Sequence, residues 1–381
     1  MKRHHLSALA VCAVTLAMAA SAAVSFRSNA TVEPIIRGPG ISEIHRLSRW
    51  FPDLAGTPGD TDVYVLTGKE PGGSTLIIGG THPNEPSSFM SALLLIENAR
   101  VTRGTLYVIP RANASGFTHN DPQEGAPKTF SFTLPDGSTR TFRYGSRATN
   151  PIHQWPDPDV YIHAASGQAL SGNETRNLNR AYPGKADGTL TERVTYGIVS
   201  LIRKEGIDLS IDLHEASPEY PVVNAVVAHE RAMPIASNMV LGLEMRGLAI
   251  NLEPSPHNLR GLTHRELGDA TNTLAVLLET CNPSQGRLRG RTDEALVLTG
   301  RDPTYEKAFA LGRLYVPFDS KGHPIEERVG RHLAAIEEFT LALGMDKPGR
   351  ALELADVPAL EDLTGKGLGH FLKPAPEPLR Q

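Results

Sequence analysis

The stretch at 74–88, STLIIGGTHPNEPSS, constrains the fold more than any other. Leu76, Ile77 and Ile78 form a short apolar run that reads as a buried strand. Gly79 and Gly80 end it and let the backbone turn sharply. Pro86 and two serines then open a helix expected to run to about Arg100. A strand that hands over to a helix in this way is the unit of α/β sheets, which gather ligands at the carboxyl ends of strands. His82 and Glu85 stand at that handover, in an H-x-x-E arrangement. Both residue types are ordinary zinc ligands, although most such pairs are only a solvated turn.

The same alternation recurs along the chain. Residues 62–67 (DVYVLT), 105–110 (TLYVIP) and 207–213 (IDLSIDL) read as strands, and 220–228 contains another. Residues 273–278 (TLAVLL) are apolar throughout, as a central strand is. Helices are expected from Thr189, where Glu192 completes a capping box, to about Lys204, and again over 231–246. A further helix spans 325–343, with Val329, Leu333, Ile336 and Phe339 on one face. The runs 129–134 and 138–144 flank Pro135-Asp136-Gly137 as a hairpin. Strands alternating with helices predict a mixed, mainly parallel twisted sheet with helices on both faces.

The domain reading follows from these elements. A catalytic domain is expected over 61–345, carrying an insertion at about 117–172. A lead-in at 23–60 precedes it, with a short amphipathic helical piece at 41–50, and 68–73 reads as a turn. The tail at 346–381 turns Pro- and Gly-rich and is read as partly disordered.

The first 22 residues read as a signal peptide. Lys2, Arg3, His4 and His5 form a basic start, residues 6–24 are apolar, and Ala20-Ser21-Ala22 fits a cleavage site. Export to the periplasm or medium is the expectation. The alternative is a membrane anchor over 6–26, since roughly 20 apolar residues span a bilayer. After cleavage Cys281 is the one remaining cysteine, so no intrachain disulfide can form. A net charge of -4 without a basic stripe argues against a nucleic-acid partner.

Two further strand ends carry chemistry. His214 follows the strand at 207–213, and Glu279 follows the apolar run at 273–278. Strand ends of one parallel sheet converge on one crevice. Two imidazoles and a carboxylate make a known catalytic zinc set with an open position, and a second carboxylate can serve as general base. Alone, His214 and Glu279 each read as solvated strand-end residues. Shared position with H-x-x-E favours a site.

The order H-x-x-E, then N-R within L-N-R-x-Y-P-G (178–184), then D-L-H, then E-T resembles the zinc carboxypeptidase superfamily. Residues 178–184 and 108–117 (VIPRANASGF) are most similar to its succinylglutamate desuccinylase/aspartoacylase branch. The resemblance covers roughly residues 60–345. It implies a zinc carboxypeptidase-like fold and one zinc ion per chain. His82, Glu85 and His214 would hold the metal, and Glu279 would be the general base and acid. Asn179 and Arg180 would hold a substrate carboxylate, for which a guanidinium fork is shaped. The family's carbonyl-polarising arginine lies close upstream of L-N-R in that branch, where this chain has Gly172. Arg147, Arg176 and Arg111 are the alternatives. The family's tyrosine before the catalytic glutamate has no counterpart in 251–279, which instead holds His257, Arg260, His264 and Arg265. In the insertion, His153 and His163 are further histidines of a polar loop.

The expected activity is a zinc-dependent hydrolase that cleaves an amide bond of a small carboxylate-bearing substrate, an N-acyl amino acid or the C-terminal residue of a short peptide. One alternative is an exported metallocarboxypeptidase or amidase acting on cell-wall peptides. Another is an inactive ligand-binding protein on the same fold. A serine hydrolase is disfavoured because no G-x-S-x-G elbow occurs. The partner is a small molecule or short peptide, with a membrane involved only if the leading segment is uncleaved. The sequence leaves the oligomeric state open.

Overall fold

The computed structural model describes residues 2–29, 33–121 and 125–375. It divides into two units, Met1–Glu33 and Pro34–Gln381. The first holds one helix, α1 (Lys2–Asn29). Within α1, 24 residues from His5 to Ser28 have a mean hydropathy of 2.1, with none of that window buried. Its length and composition suffice to cross a bilayer, and a signal sequence passes the same test.

The second unit is built on a sheet. In chain order its elements begin with β1 (Glu43–Arg46), β2 (Asp62–Thr67), β3 (Glu70–Ile78), α2 (Pro86–Asn98) and β4 (Arg100–Ile109). The insertion adds the hairpin β5 (Thr129–Thr133) and β6 (Thr139–Arg143), then β7 (Val160–Ile162) and β8 (Ala169–Ser171). There follow α3 (Leu190–Glu205), β9 (Leu209–Ala216), β10 (Ala225–Ala228), α4 (Met233–Met245), β11 (Asn251–Pro254), α5 (Thr263–Ala270) and β12 (Leu274–Cys281). The chain continues through α6 (Glu294–Thr299), α7 (Pro303–Ala310), α8 (Ile325–Asp346), β13 (Glu353–Ala355) and α9 (Leu360–Lys366).

The sheet order is β1-β2-β4-β3-β9-β12-β10-β11, with β13 added beside β4. The four central strands β4, β3, β9 and β12 are mutually parallel, and antiparallel pairs lie outside them. The expected mixed sheet with a parallel centre is therefore present. Helices cover both faces. Val329, Leu333, Ile336 and Phe339 of α8 are buried in one core with α2 and α4, as the helical spacing predicts. The other core holds Val194, Ile198 and Leu201 of α3 with Leu47, Trp50 and Leu54 of the lead-in. Each such side chain contributes roughly 1.5–3 kcal/mol by leaving water. The capping box starts α3 as read: Thr189 Oγ1 accepts from Glu192 N at 3.3 Å, and Glu192 Oε2 accepts from Thr189 N at 2.9 Å.

Three local readings change. The piece at 41–50 is not a helix: it is edge strand β1 followed by a single 3-10 turn, Leu47–Arg49. Pairing with β2 takes its backbone groups, which outweighs a weak helical spacing. Part of the expected turn at 68–73 belongs to β3. His214 and Glu279 lie inside their strands rather than just beyond them, because β9 and β12 stay paired to Ala216 and Cys281. The tail carries β13 and α9, and the reading of disorder at its end falls on residues 376–381, outside the described residues.

Glu97, at the end of α2, ties distant segments together. Its fully buried carboxylate accepts from Arg140 of β6 at 2.6 Å, from Ile36 N at 3.1 Å and from Lys373 N at 2.8 Å. Three donors compensate the desolvation of that charge.

Candidate metal centre and cleft

The handover after β3 is forced by close packing. Gly80 has φ +64°, and a Cβ there would meet Pro110 O at 2.8 Å and the Phe117 ring at 2.9 Å. Only glycine adopts that conformation at so small a separation. The turn delivers His82 and Glu85 just before α2, while β9 delivers His214.

The three groups converge. His82 Nδ1 lies 2.8 Å from Glu85 Oε1, and His214 Nδ1 lies 3.0 Å from Glu85 Oε2. The two Nδ1 atoms are 3.1 Å apart. All three side chains are buried. The far side of each ring fixes its tautomer. His82 Nε2 lies 2.9 Å from Asn177 Oδ1, which also accepts from Asn179 N. His214 Nε2 lies 2.7 Å from Asp212 Oδ2, and Asp212 is held in turn by Thr81 Oγ1 at 2.8 Å and Thr263 Oγ1 at 2.7 Å. Both partners of the rings accept, so each Nε2 carries a proton and each Nδ1 turns a lone pair inward.

Two imidazole nitrogens and a carboxylate directed at one point form a group that could hold a metal ion. Burial, with Arg147 nearby, lowers the His82 pKa to about 4. Burial would lower His214 too, but the carboxylates of Asp212 and Glu85 outweigh it and hold that ring well above its usual range. Burial would raise Glu85, yet the two imidazoles hold it well below the usual carboxylate value. A borderline-soft divalent ion suits two nitrogens and one oxygen, so these residues fit zinc.

Glu279 pairs with His214 in the parallel register of β9 and β12, which places both on one face of the sheet. Its Oε2 is enclosed and has no hydrogen-bond partner. Burial raises its pKa to about 8; the positive field of His214 opposes the shift, and Glu85 adds to it. An enclosed carboxylate oxygen without a donor among the described residues is costly, and such groups are enriched at functional sites.

These groups line one cleft of about 360 Å³. Asn179, Arg180 and Arg147 share it. Asn179 Oδ1 accepts from Thr263 N at 3.0 Å. Arg180 donates to Asn179 O at 2.7 Å, and its nearest carboxylate, Glu174, is 4.0 Å away. Burial lowers the pKa of Arg180, and Arg147 adds to the shift. Arg147 reaches in from the insertion, its Nη1 3.3 Å from Glu85 Oε1.

Arg176, one of the alternatives for the carbonyl-polarising arginine, fastens the insertion. It is absent from the cleft lining, and Asp157 takes its fork at 2.7 and 2.9 Å. Arg111 stacks on Phe89, 4.9 Å from the ring centroid. An arginine in place of Gly172 has no room, since a Cβ there would lie 1.7 Å from Pro158 O. His163 contacts Tyr182 O at 2.6 Å, and His153 contacts Ser115 Oγ at 2.7 Å, so both serve the loops. Arg260 is held by Glu266 at 2.7 Å, and His264 by Ser255 Oγ at 2.8 Å. A second cluster, His229, Glu230 and Asp269, is already neutralised by Arg265, which pairs with both acids.

Reading the sequence for ligands missed Asn177 and Asp212. Asp212 had a signal: two residues before His214 on a strand, it shares that residue's face. Tyr220, Gln285 and Arg287 at the mouth of the cleft had none, because loops bring them there.

No protein-family model and no curated protein matches the chain. Solved structures do. The cell shape determinant protein Csd4 from Helicobacter pylori is 12% identical, with a TM-score of 0.46 over 81% of this chain and 59% of that one. A metallo-carboxypeptidase from Burkholderia cenocepacia is 13% identical, with a TM-score of 0.45 over 84% of this chain and 68% of that one. A succinylglutamate desuccinylase from Silicibacter is 15% identical, with a TM-score of 0.36 over 60% of this chain and 55% of that one. The chain thus spans under two thirds of the length of Csd4 and of the desuccinylase.

Proposed function

We infer that the protein is a zinc-dependent hydrolase of amide bonds next to a carboxylate. One observation carries the reading: two imidazole lone pairs and Glu85 converge beside the unpartnered carboxylate of Glu279, in a cleft that also holds Arg180. His82, Glu85 and His214 would hold one zinc ion. When bound there, zinc supplies Lewis acidity and a water of lowered pKa. Glu279 Oε2 takes a proton from the attacking water and returns it to the amine nitrogen as the carbon–nitrogen bond breaks. Arg180 and the Asn179 amide group receive the substrate's carboxylate. Arg147 stands closest to the ligands and faces the carbonyl oxygen. The order of motifs in the sequence supports the same roles.

The substrate is an N-acyl amino acid or a short peptide, in keeping with the cleft's size and charge. Export through a signal peptide cut near Ala22 accords with the apolar α1, and points to an exported substrate such as a cell-wall peptide. The test is a mass-spectrometric screen of zinc-loaded protein against N-acyl amino acids, dipeptides, longer peptides and muropeptides. Cleavage of one class, absent in Glu279→Gln, is expected. Zinc bound at full occupancy with nothing cleaved would sink the hydrolase in favour of a binding protein.

A further inference from the structure

Residues 309–315 (FALGRLY) close α7 and turn back towards the loop between β9 and β10. Phe309, Leu311 and Tyr315 are 43, 73 and 62% exposed, in a run without an acidic residue. Their backbone is fixed. Gly312 N donates to Phe309 O at 2.9 Å and Arg313 N to Ala308 O at 3.0 Å. Gly312 takes φ +65°, as a glycine that ends a helix does. Tyr315 N donates to Pro218 O at 2.9 Å, which ties the run to the loop that places Tyr220 at the cleft. Tyr305 and Ala308 are buried on the inner side of α7, and the Tyr305 ring packs on Phe318 with centroids 5.3 Å apart. The helix thus makes its core contacts and still leaves three large apolar groups in water.

Cations frame this run. Arg291, Arg301, Lys307, Arg313 and Lys321 are exposed, and among the described residues none of them forms an ion pair. The segments that carry them are joined: Asp302 Oδ2 accepts from Gly290 N at 2.8 Å, and Arg301 donates to Lys321 O at 3.3 Å. The acids of 301–321 offset them little. Asp302 is buried as the cap of α7, Glu306 is half-buried, and Asp319 alone is exposed. Apolar groups framed by cations match anionic headgroups above an acyl layer. A bilayer is something this chain meets, since α1 is long and apolar enough to cross one. A second copy fits worse, because a two-fold contact would set the patch against itself, cation against cation.

We propose that this face docks on an anionic lipid surface. Phe309, Leu311 and Tyr315 enter the headgroup layer, and the five cations meet lipid phosphates. The link from Tyr315 to Pro218 then holds the loop of Tyr220, and with it the mouth of the cleft, beside the bilayer. The assignment is independent of the reaction in the cleft.

The test uses the full chain as Cys12→Ser/Leu311→Cys, carrying a nitrobenzoxadiazole label and reconstituted in vesicles through α1. Cys281 is buried and stays unlabelled. In phosphatidylcholine vesicles with about 30% phosphatidylglycerol the emission should rise about twofold or more and be quenched by nitroxide lipids. The same label on Asn238→Cys, exposed on α4 outside the patch, should show neither effect. Salt at about 0.5 M, which needs no further variant, should remove roughly half of the rise or more, and so should Lys307→Gln/Arg313→Gln. An equal rise in pure phosphatidylcholine, or none in either vesicle, would overturn the proposal. So would a rise in neutral detergent micelles that grows with protein concentration, which would give the face to a second copy.

Discussion

Asp212 Oδ2 stands 2.7 Å from Nε2 of His214, two residues further along the same strand. A fully buried carboxylate in that place fixes the ring's tautomer and raises its basicity towards a cation. Asp212→Asn should therefore lower zinc affinity about 10- to 100-fold without removing a ligand. Competition with a chromogenic chelator measures it. An unchanged affinity would reduce Asp212 to a packing residue.

Glu279→Gln separates catalysis from stability. Turnover should fall by about 10²- to 10⁴-fold, the usual worth of a general base. Zinc content by mass spectrometry should stay at the wild-type level. Above about pH 8, where Glu279 is ionised, thermal stability of the variant should exceed that of the wild type, because the enclosed Oε2 lacks a donor and a neutral amide removes its charge. A variant that melts lower and loses zinc would mean Glu279 is a structural or ligating group.

Arg180→Ala should lower kcat/KM by roughly 10- to 100-fold, matching the loss of a charge-assisted contact worth about 1.5–3 kcal/mol. The loss should be confined to substrates with a free carboxylate and vanish for their amides. Equal losses on both would place Arg180 in the scaffold.

Beneath the metal ligands, Arg328 of α8 and Glu215 of β9 form a buried pair at 2.6 Å. Glu215 also accepts from Ser87 N at 2.9 Å, so the pair bolts α2 to β9. Removing one partner leaves the other charge buried, at a cost of about 3–5 kcal/mol. Arg328→Met should shift the urea midpoint accordingly, and the double variant Glu215→Leu/Arg328→Met should recover much of it. A single variant as stable as wild type would contradict the burial.

Acid sensitivity follows from His264. Burial, with His214 and Arg265 nearby, lowers its pKa to about 3, against 6.5 for a free imidazole. Between those values the unfolded chain binds a proton that the folded protein refuses. Its contribution to stability is thus complete above pH 6.5 and is lost as pH falls towards 3. Melting temperatures at pH 7.5, 5.5 and 4.5 should fall less steeply for His264→Gln than for the wild type.

The sequence was most legible where chemistry sits on regular elements. His82 and Glu85 follow a strand, His214 and Glu279 lie near the carboxyl ends of theirs, and a parallel sheet gathers such ends by geometry alone. The apolar stripe of α8 needed only the helical period. The partner of Arg176 was not legible, because local sequence shows a cation beside a motif and hides the aspartate nineteen positions earlier that claims it. The short strand β13 was invisible for a related reason. Three residues carry no period, and β4 alone gives them a register. What stayed hidden was in each case a partnership between segments far apart in the chain.

Glu97 gives the folded unit an unexpected topology for engineering. One carboxylate binds Ile36 N and Lys373 N, so these two residues, near the first and last described residues of the unit, lie within about 8 Å of each other. Two or three linking residues span that gap. A circular permutant joined there, and reopened at the exposed hairpin tip beside Gly137, would keep every strand pairing of the central sheet.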